Sequence, residues 1–209
     1  MLIDGTLTDF SDALASKSPT PGGGGAAGVA GALAAACGSM VANLLDGKAR
    51  VADHQSDIER IAERLEELRR DLLSVVDEDA HAFEPVAEAL ALPRDTPEQT
   101  AVRVSRMQSA LEDACQPPFK CMNLALDVLK TLDELCGYAN RLVISDVGVG
   151  AELCRAALRA SSLNVFVNCG MMSDGPFASK IDMVAREMVE SGDKVADGIY
   201  ERVAEVLHA

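Results

Sequence analysis

The sequence predicts an all-α protein, a single-domain helical bundle over residues 1–209 with a buried small-residue central helix. Three observations carry this expectation. Apolar residues recur at three- and four-residue steps along most of the chain. Period-two alternation is confined to "RLVIS" at 141–145, which has no partner strand. Four consecutive glycines, Gly22 to Gly25, run straight into an uncharged Ala-rich stretch at 26–45. With 209 residues and 48% hydrophobic content, the chain is long enough for one good core and short for two.

In chain order, a small helix is expected over 7–15. Pro19 and Pro21 then stiffen the approach to the glycines, which let the backbone lie close against a flat ligand or another helix. A tight start to the following helix explains the glycines equally well. The stretch 26–45 is long enough to cross a bilayer, yet its Ala and Gly content, Ser39, Asn43 and lack of flanking Trp or Tyr fit a buried helix, so no membrane partner is expected. Gly28, Gly31, Ala32, Ala35, Ala36 and Ser39 recur at helical spacing, allowing neighbouring backbones to approach.

From Asp57 onward, Ile58, Ile61, Leu65, Leu68, Leu72, Val75, Val76, Ala80 and Phe83 mark one face of a long amphipathic helix. Pro85 should kink or end it near Phe83. "LPRDTPEQ" at 92–99 supplies a loop and then a start signal, Thr96 ahead of Pro97 and Glu98. Further helices are expected over 97–114, 118–135, 145–172 and 177–207, the last opened by "SDGP" at 173–176.

Composition excludes several functions. A net charge of -14 argues against nucleic acid and anionic membranes, which are bound through clustered Lys and Arg. The six cysteines form no C-x-x-C pair and sit in apolar helical stretches, as buried free thiols of a reducing cytosol would. Asp4 and Asp9 stand where a signal peptide would be basic, so a cytoplasmic location is expected. The glycines follow no strand, and Gly47-Lys48 is followed by Ala49 rather than Ser or Thr, so neither nucleotide-loop pattern fits. His54, His81 and His208 are too scattered for a metal site, and no metal or other cofactor is expected.

Spacing singles out some polar side chains. Asn164 and Asn168 lie one helical turn apart, as do Ser39 and Asn43, on otherwise apolar helices. Each alone reads as an inter-helix hydrogen bond; together they suggest a lined cleft. Asp79 and Phe83 are also a turn apart, in a cluster with Asp77 and Glu78 where at least two carboxylates should form a solvated face. Ser145 and Asp146 occupy an N-cap position before a long helix. Lys48 and Arg50, beyond the central helix, read as solvated surface or as the cations that hold an acidic ligand.

The stretch "SPTPGGGGAAGVAGALAAACGSMVANL" resembles the opening motif of the formiminotransferase-cyclodeaminase and methenyltetrahydrofolate cyclohydrolase family, and "DEDAHAF", "LPRDTPEQ" and "ISDVGVGAELCRAALRASSLNVFVN" agree in order and spacing. Gly25 stands where cyclodeaminases commonly have Ser, as expected of the stand-alone cyclohydrolases. Lys48 is kept, but Ala49, Arg50 and Val51 replace the family's next lysines and tyrosine, and Leu142 replaces an Asn while Asn140 is kept.

The resemblance implies a homodimeric folate enzyme that hydrolyses 5,10-methenyltetrahydrofolate to 10-formyltetrahydrofolate. The alternatives are a formiminotetrahydrofolate cyclodeaminase, a non-catalytic folate or pterin binder, and a purely structural helical dimer. It implies catalytic roles for Asp146, ahead of Asp79, as the base toward water, with Lys48 or the helix-start amides orienting the reacting groups. Pro21, Gly22, Gly23, Gly24, Gly25, Ser39, Asn43, Phe83, Asn140, Asn164 and Asn168 would line the substrate site.

Overall fold

The computed structural model describes residues 2–209. Seven α-helices appear among them: α1 (Leu7–Leu14), α2 (Gly23–Leu45), α3 (Gln55–Ala91), α4 (Pro97–Ala114), α5 (Gln116–Cys136), α6 (Ile144–Met171) and α7 (Gly175–His208). A short 3₁₀ segment, Ala49–His54, joins α2 to α3. No strand occurs among the described residues, and 141–143 is a turn.

The caps follow local chemistry. Thr6 accepts from the Asp9 amide while the Asp9 carboxylate accepts from the Thr6 amide, a reciprocal pair that closes α1. Thr96 and Gln99 repeat it at α4, with Pro97 in the first turn. Asp174 caps α7 by accepting from the Phe177 amide. At α6 the expectation fails: Val143 is the N-cap, Ser145 and Asp146 lie inside the helix, and Asn140 accepts the Leu142 amide in the preceding turn.

The helix carrying Pro85 is the second departure. It continues to Ala91, because proline removes only one backbone donor and the turns beyond it are anchored by Val86 and Ala89. Val86 joins Ala110, Leu111 and Ala114 of α4 in a small cluster against Phe83, Met107 and Met172.

The central helix runs antiparallel to two neighbours. On α3, Leu72 and Val76 lie against Gly28, and Leu65 against Gly38; on α6, Ala157 lies beside Gly31, and Gly150 meets the Ala34 carbonyl and Cys37. Small residues make this approach possible, since a Cβ on Gly28 would stand 3.0 Å from the Leu72 carbonyl oxygen. By length and composition α2 could cross a membrane; half of that stretch is buried inside the bundle. The stripe read on α3, Ile58 to Val75, forms the main core with Leu129, Leu132, Leu158 and Ile199, while Ala80 and Phe83 are half-buried.

Every cysteine is a free thiol, buried except for half-buried Cys37. Burial raises all six thiols, Cys121 to about 11 and Cys115, which also neighbours Cys169, to about 12.

Candidate functional site

The N-terminus of α2 opens into a cleft of about 220 Å³. One wall is the segment leading into the helix: Pro19, Thr20 and Gly22 to Gly24, with the Thr20-Pro21 peptide cis. The opposite wall comes from α3 through Asp79 and Phe83, and the floor from α6 through Asn164, Val167 and Asn168, with Ala114 at its edge. Of the two readings of the glycines, the structure shows the tight helix start: Gly22 is the N-cap, with no side-chain partner, and Gly23 to Gly25 form the first turn. Their amide groups have no intrahelical acceptor, which leaves them as donors at the start of the helix.

Asp79 is held against this turn. A Cβ on Gly24 would stand 2.2 Å from Asp79 Oδ1, so only glycine leaves room for the carboxylate. Burial raises the Asp79 pKa above the ordinary carboxylate value, and the Gly25 amide, hydrogen-bonded to it, works the other way. The rest of the acidic cluster is paired, not simply solvated: Asp77 accepts from the Leu2 amide at 2.7 Å, and Glu78 takes Lys120 at 2.7 Å and Ser74 at 2.9 Å.

The two asparagines are oriented through their amide nitrogens. Asn164 donates to the Ala160 carbonyl one turn back, at 3.0 Å, and Asn168 donates across to the Ala114 carbonyl at 2.9 Å. Each keeps its carbonyl oxygen available to accept at the cleft. Together, the cleft offers helix-start donors, one desolvated carboxylate, two amide acceptors and the Phe83 face. Those groups suit a flat heterocycle with donors and acceptors along one edge.

Other expected site residues lie elsewhere. Pro21 and Gly25 stand behind the wall, the proline ring 3.4 Å from where a Gly25 Cβ would be. Asn43 and Lys48 lie at and beyond the far end of α2, which is about 35 Å long. Lys48 is exposed and precedes the 3₁₀ segment, and Arg50 donates to the Ala139 carbonyl at 3.3 Å. Asp146 sits close enough to Cys37 to raise its thiol. Ser39 lies in the second half of α2, its hydroxyl buried without a partner. Within one chain the structure therefore unites Asp79, Phe83, Asn164, Asn168 and Gly22 to Gly24, and separates them from Lys48 and Asp146.

Sequence reading missed Pro19, Thr20, Ala114 and Val167 as lining residues. Val167 had a signal, since it directly precedes Asn168 and follows Asn164 by three positions, whereas Ala114 reaches the cleft only because α4 ends there. A larger hollow of about 340 Å³ lies between α4 and the α6–α7 turn, lined by Arg94, Arg103, Met107 and Met171 among others. It carries no carboxylate, and Gln108 there accepts from Ser173 and Asp174 to brace the turn.

Comparison with known proteins points the same way as the motifs. The family model described as formiminotransferase-cyclodeaminase matches residues 6–187. A methenyltetrahydrofolate cyclohydrolase of Methylorubrum extorquens is 37% identical over 198 residues, covering 95% of each chain. A formimidoyltransferase-cyclodeaminase of Gallus gallus is 30% identical over 189 residues, 90% of this chain and 35% of that protein. The crystal structure of a formiminotetrahydrofolate cyclodeaminase from Thermotoga maritima superposes with a TM-score of 0.82 at 30% identity, over 100% of this chain and 98% of that one.

Proposed function

The chain belongs to the formiminotransferase-cyclodeaminase family, and from that premise we propose that it is a methenyltetrahydrofolate cyclohydrolase, working in the cytoplasm as a homodimer with water as its sole co-reactant. What supports the cyclohydrolase over the cyclodeaminase is identity: the Methylorubrum extorquens cyclohydrolase is 37% identical over 95% of each chain, against 30% for the Gallus gallus and Thermotoga maritima proteins.

In this reading the pterin enters the cleft flat against Phe83, its polar edge toward Asn164 and Asn168. The bridging carbon between N5 and N10 carries the amidinium charge, which the Asp79 carboxylate faces. Water attacks that carbon as Asp79 takes its proton, a tetrahedral carbon forms, and the carbon–N5 bond breaks as N5 takes a proton. The product keeps the formyl group on N10, and one proton is released overall. A raised Asp79 pKa brings the carboxylate nearer the value that suits a general base at neutral pH.

The test is the loss of 5,10-methenyltetrahydrofolate absorbance, run beside ammonia release from 5-formiminotetrahydrofolate. Rapid decay of the first with little of the second is expected. The reverse result would make the chain a cyclodeaminase, the reading that the fold shared with the Thermotoga maritima protein favours.

Gly24→Ala probes the site directly. A methyl group there must displace Asp79, while alanine in place of a helical glycine stabilises by up to about 1 kcal/mol. Turnover is expected to fall at least about tenfold with the melting temperature unchanged or raised, measured by steady-state kinetics and thermal unfolding. Equal activity would show that Asp79 need not sit against the first turn.

A further inference from the structure

Resting on the folate reading above, we propose that Arg94 and Arg103 hold the two carboxylates of the substrate's glutamate tail, in the hollow between α4 and the α6–α7 turn. The aminobenzoyl ring then lies on Val167 and Met171, between that hollow and the cleft. The first observation is charge. Methenyltetrahydrofolate carries its carboxylates at the end opposite the pterin, and it meets a chain with 33 acidic and 19 basic residues. No cation lines the cleft that takes the pterin, and Lys48 and Arg50 lie beyond the far end of α2. The tail therefore needs cations elsewhere, and they must be free of carboxylates of their own.

Arg94 and Arg103 meet that condition. Most arginines are paired with Asp or Glu, as at Arg60, Arg69 and Arg159, but neither of these two forms an ion pair among the described residues. Arg103 donates through Nη1 to the Leu92 carbonyl at 2.9 Å, which fixes one edge of its guanidinium and leaves the other N–H groups free. The Arg94 carbonyl accepts from Thr100 Oγ1 at 3.3 Å, tying the loop to the first turn of α4, while the Arg94 side chain is left without a partner. Carboxylates near the hollow are engaged elsewhere: Asp174 accepts from the Phe177 amide, and Glu112 accepts from Gln108 at 2.7 Å.

The second observation is the shape of the hollow. Its volume of about 340 Å³ falls within the range of small-molecule sites, and Val104, Met107 and Met171 give it an apolar wall beside the two guanidinium groups. That combination suits an acidic group on an apolar stem.

The third observation is that the hollow continues the cleft. Val167 lines the cleft and Met171 lines the hollow, one turn apart on α6, and they are 62% and 45% exposed. Phe83 of the cleft and Met107 and Met172 of the hollow cover the same apolar cluster, Val86 with Ala110, Leu111 and Ala114. From Asn164 to Met171 the helix rises about 10 Å, a span that the aminobenzoyl group bridges. A pterin held at Phe83, Asn164 and Asn168 thus sends its tail along α6 toward Arg94 and Arg103.

The experiment compares 5,10-methenyltetrahydrofolate with its pteroate counterpart, which lacks the glutamate. The wild type is expected to show the lower KM for the first. Arg94→Ala combined with Arg103→Gln should raise that KM by about tenfold for each arginine removed, with kcat holding. Glutamine keeps a donor for the Leu92 carbonyl, so Arg103→Gln removes the charge without untying the α3–α4 loop. On the pteroate counterpart the same variant should show no loss. Equal losses on both compounds would make the arginines structural, and equal KM values in the wild type would mean that the tail is not read. Either result overturns the proposal.

Binding is read without the reaction. In calorimetric titration, 5-formyltetrahydrofolate, which has no bridge between N5 and N10 to attack, should bind more tightly than 5-formyltetrahydropteroate. The difference should shrink with added sodium chloride and vanish in the double variant. Competition by inorganic phosphate beyond the effect of sodium chloride at equal ionic strength would make the hollow a general anion site and overturn the assignment. A preference for the tail in a chain that turns over no methenyltetrahydrofolate would support the subsite and remove the proposed reaction, so the two can fail separately.

Discussion

Asp79→Asn is expected to lower kcat/KM by about 10²–10⁴-fold, the range a positioned general base supplies, while raising the melting temperature at neutral pH. Asparagine keeps the shape and can still accept from the Gly25 amide, so folding should be preserved. The stability gain follows from the raised pKa, whose main cause is burial. A carboxylate whose folded pKa lies above its unfolded value binds its proton more tightly when folded. The associated stability is present below the unfolded pKa and is lost as pH rises through the folded value. At pH 7 the ionised Asp79 is thus a cost that asparagine does not carry. The difference in melting temperature should shrink as pH falls toward the ordinary carboxylate value of 3.8. In the wild type the same titration should appear as the acid limb of kcat/KM, rising with pH as Asp79 loses its proton. Thermal unfolding at pH 4 and pH 7 together with the pH–rate profile checks both halves. Full activity in a folded Asp79→Asn would pass the role of base to another group, with Asp146 the first to try.

The helices were legible because burial on one face imposes a period. The α3 stripe from Ile58 to Val76 is buried residue for residue, and α4 spans the residues its proline and capping threonine indicate. What sequence could not show is where a local preference yields to packing. Pro85 reads as a break, but contacts made by Val86 and Ala89 on the far side hold the helix through it. The glycines read equally as a close-approach segment and as a tight helix start; they are helical, and what they approach is Asp79. Asp146 reads as a cap, though the turn before α6 is closed by Asn140. The motifs named nearly all the polar groups of the cleft, but order along a chain does not say which end of a bundle a residue occupies. Gly24 meets Asp79 because α3 returns antiparallel, and the same geometry sends Lys48 to the opposite end.

Gly28→Leu should be among the most destabilising single substitutions in α2, because the groups it meets cannot move aside. A Cβ at position 28 would lie 3.0 Å from the Leu72 carbonyl oxygen and 3.0 Å from Val76 Cγ2, so the first new atom already presses on α3 backbone. Overfilling a packed interior typically costs about 1–3 kcal/mol and more when backbone must shift. Leucine is the better helix former by up to about 1 kcal/mol, which works against that cost and makes the sign informative. Gly198→Ala supplies the control, since nothing lies within 4 Å of a Cβ there and the helical gain should appear undiminished, at about 0.5–1 kcal/mol. Urea unfolding of the two variants separates packing from propensity: opposite shifts in midpoint are expected. A stable Gly28→Leu would mean that α2 and α3 can part without loss, and then the cleft should suffer first. Asp79 sits on α3 two turns beyond Leu72, so any rotation that relieves position 28 draws the carboxylate away from the first turn of α2 and lowers turnover even where the fold survives.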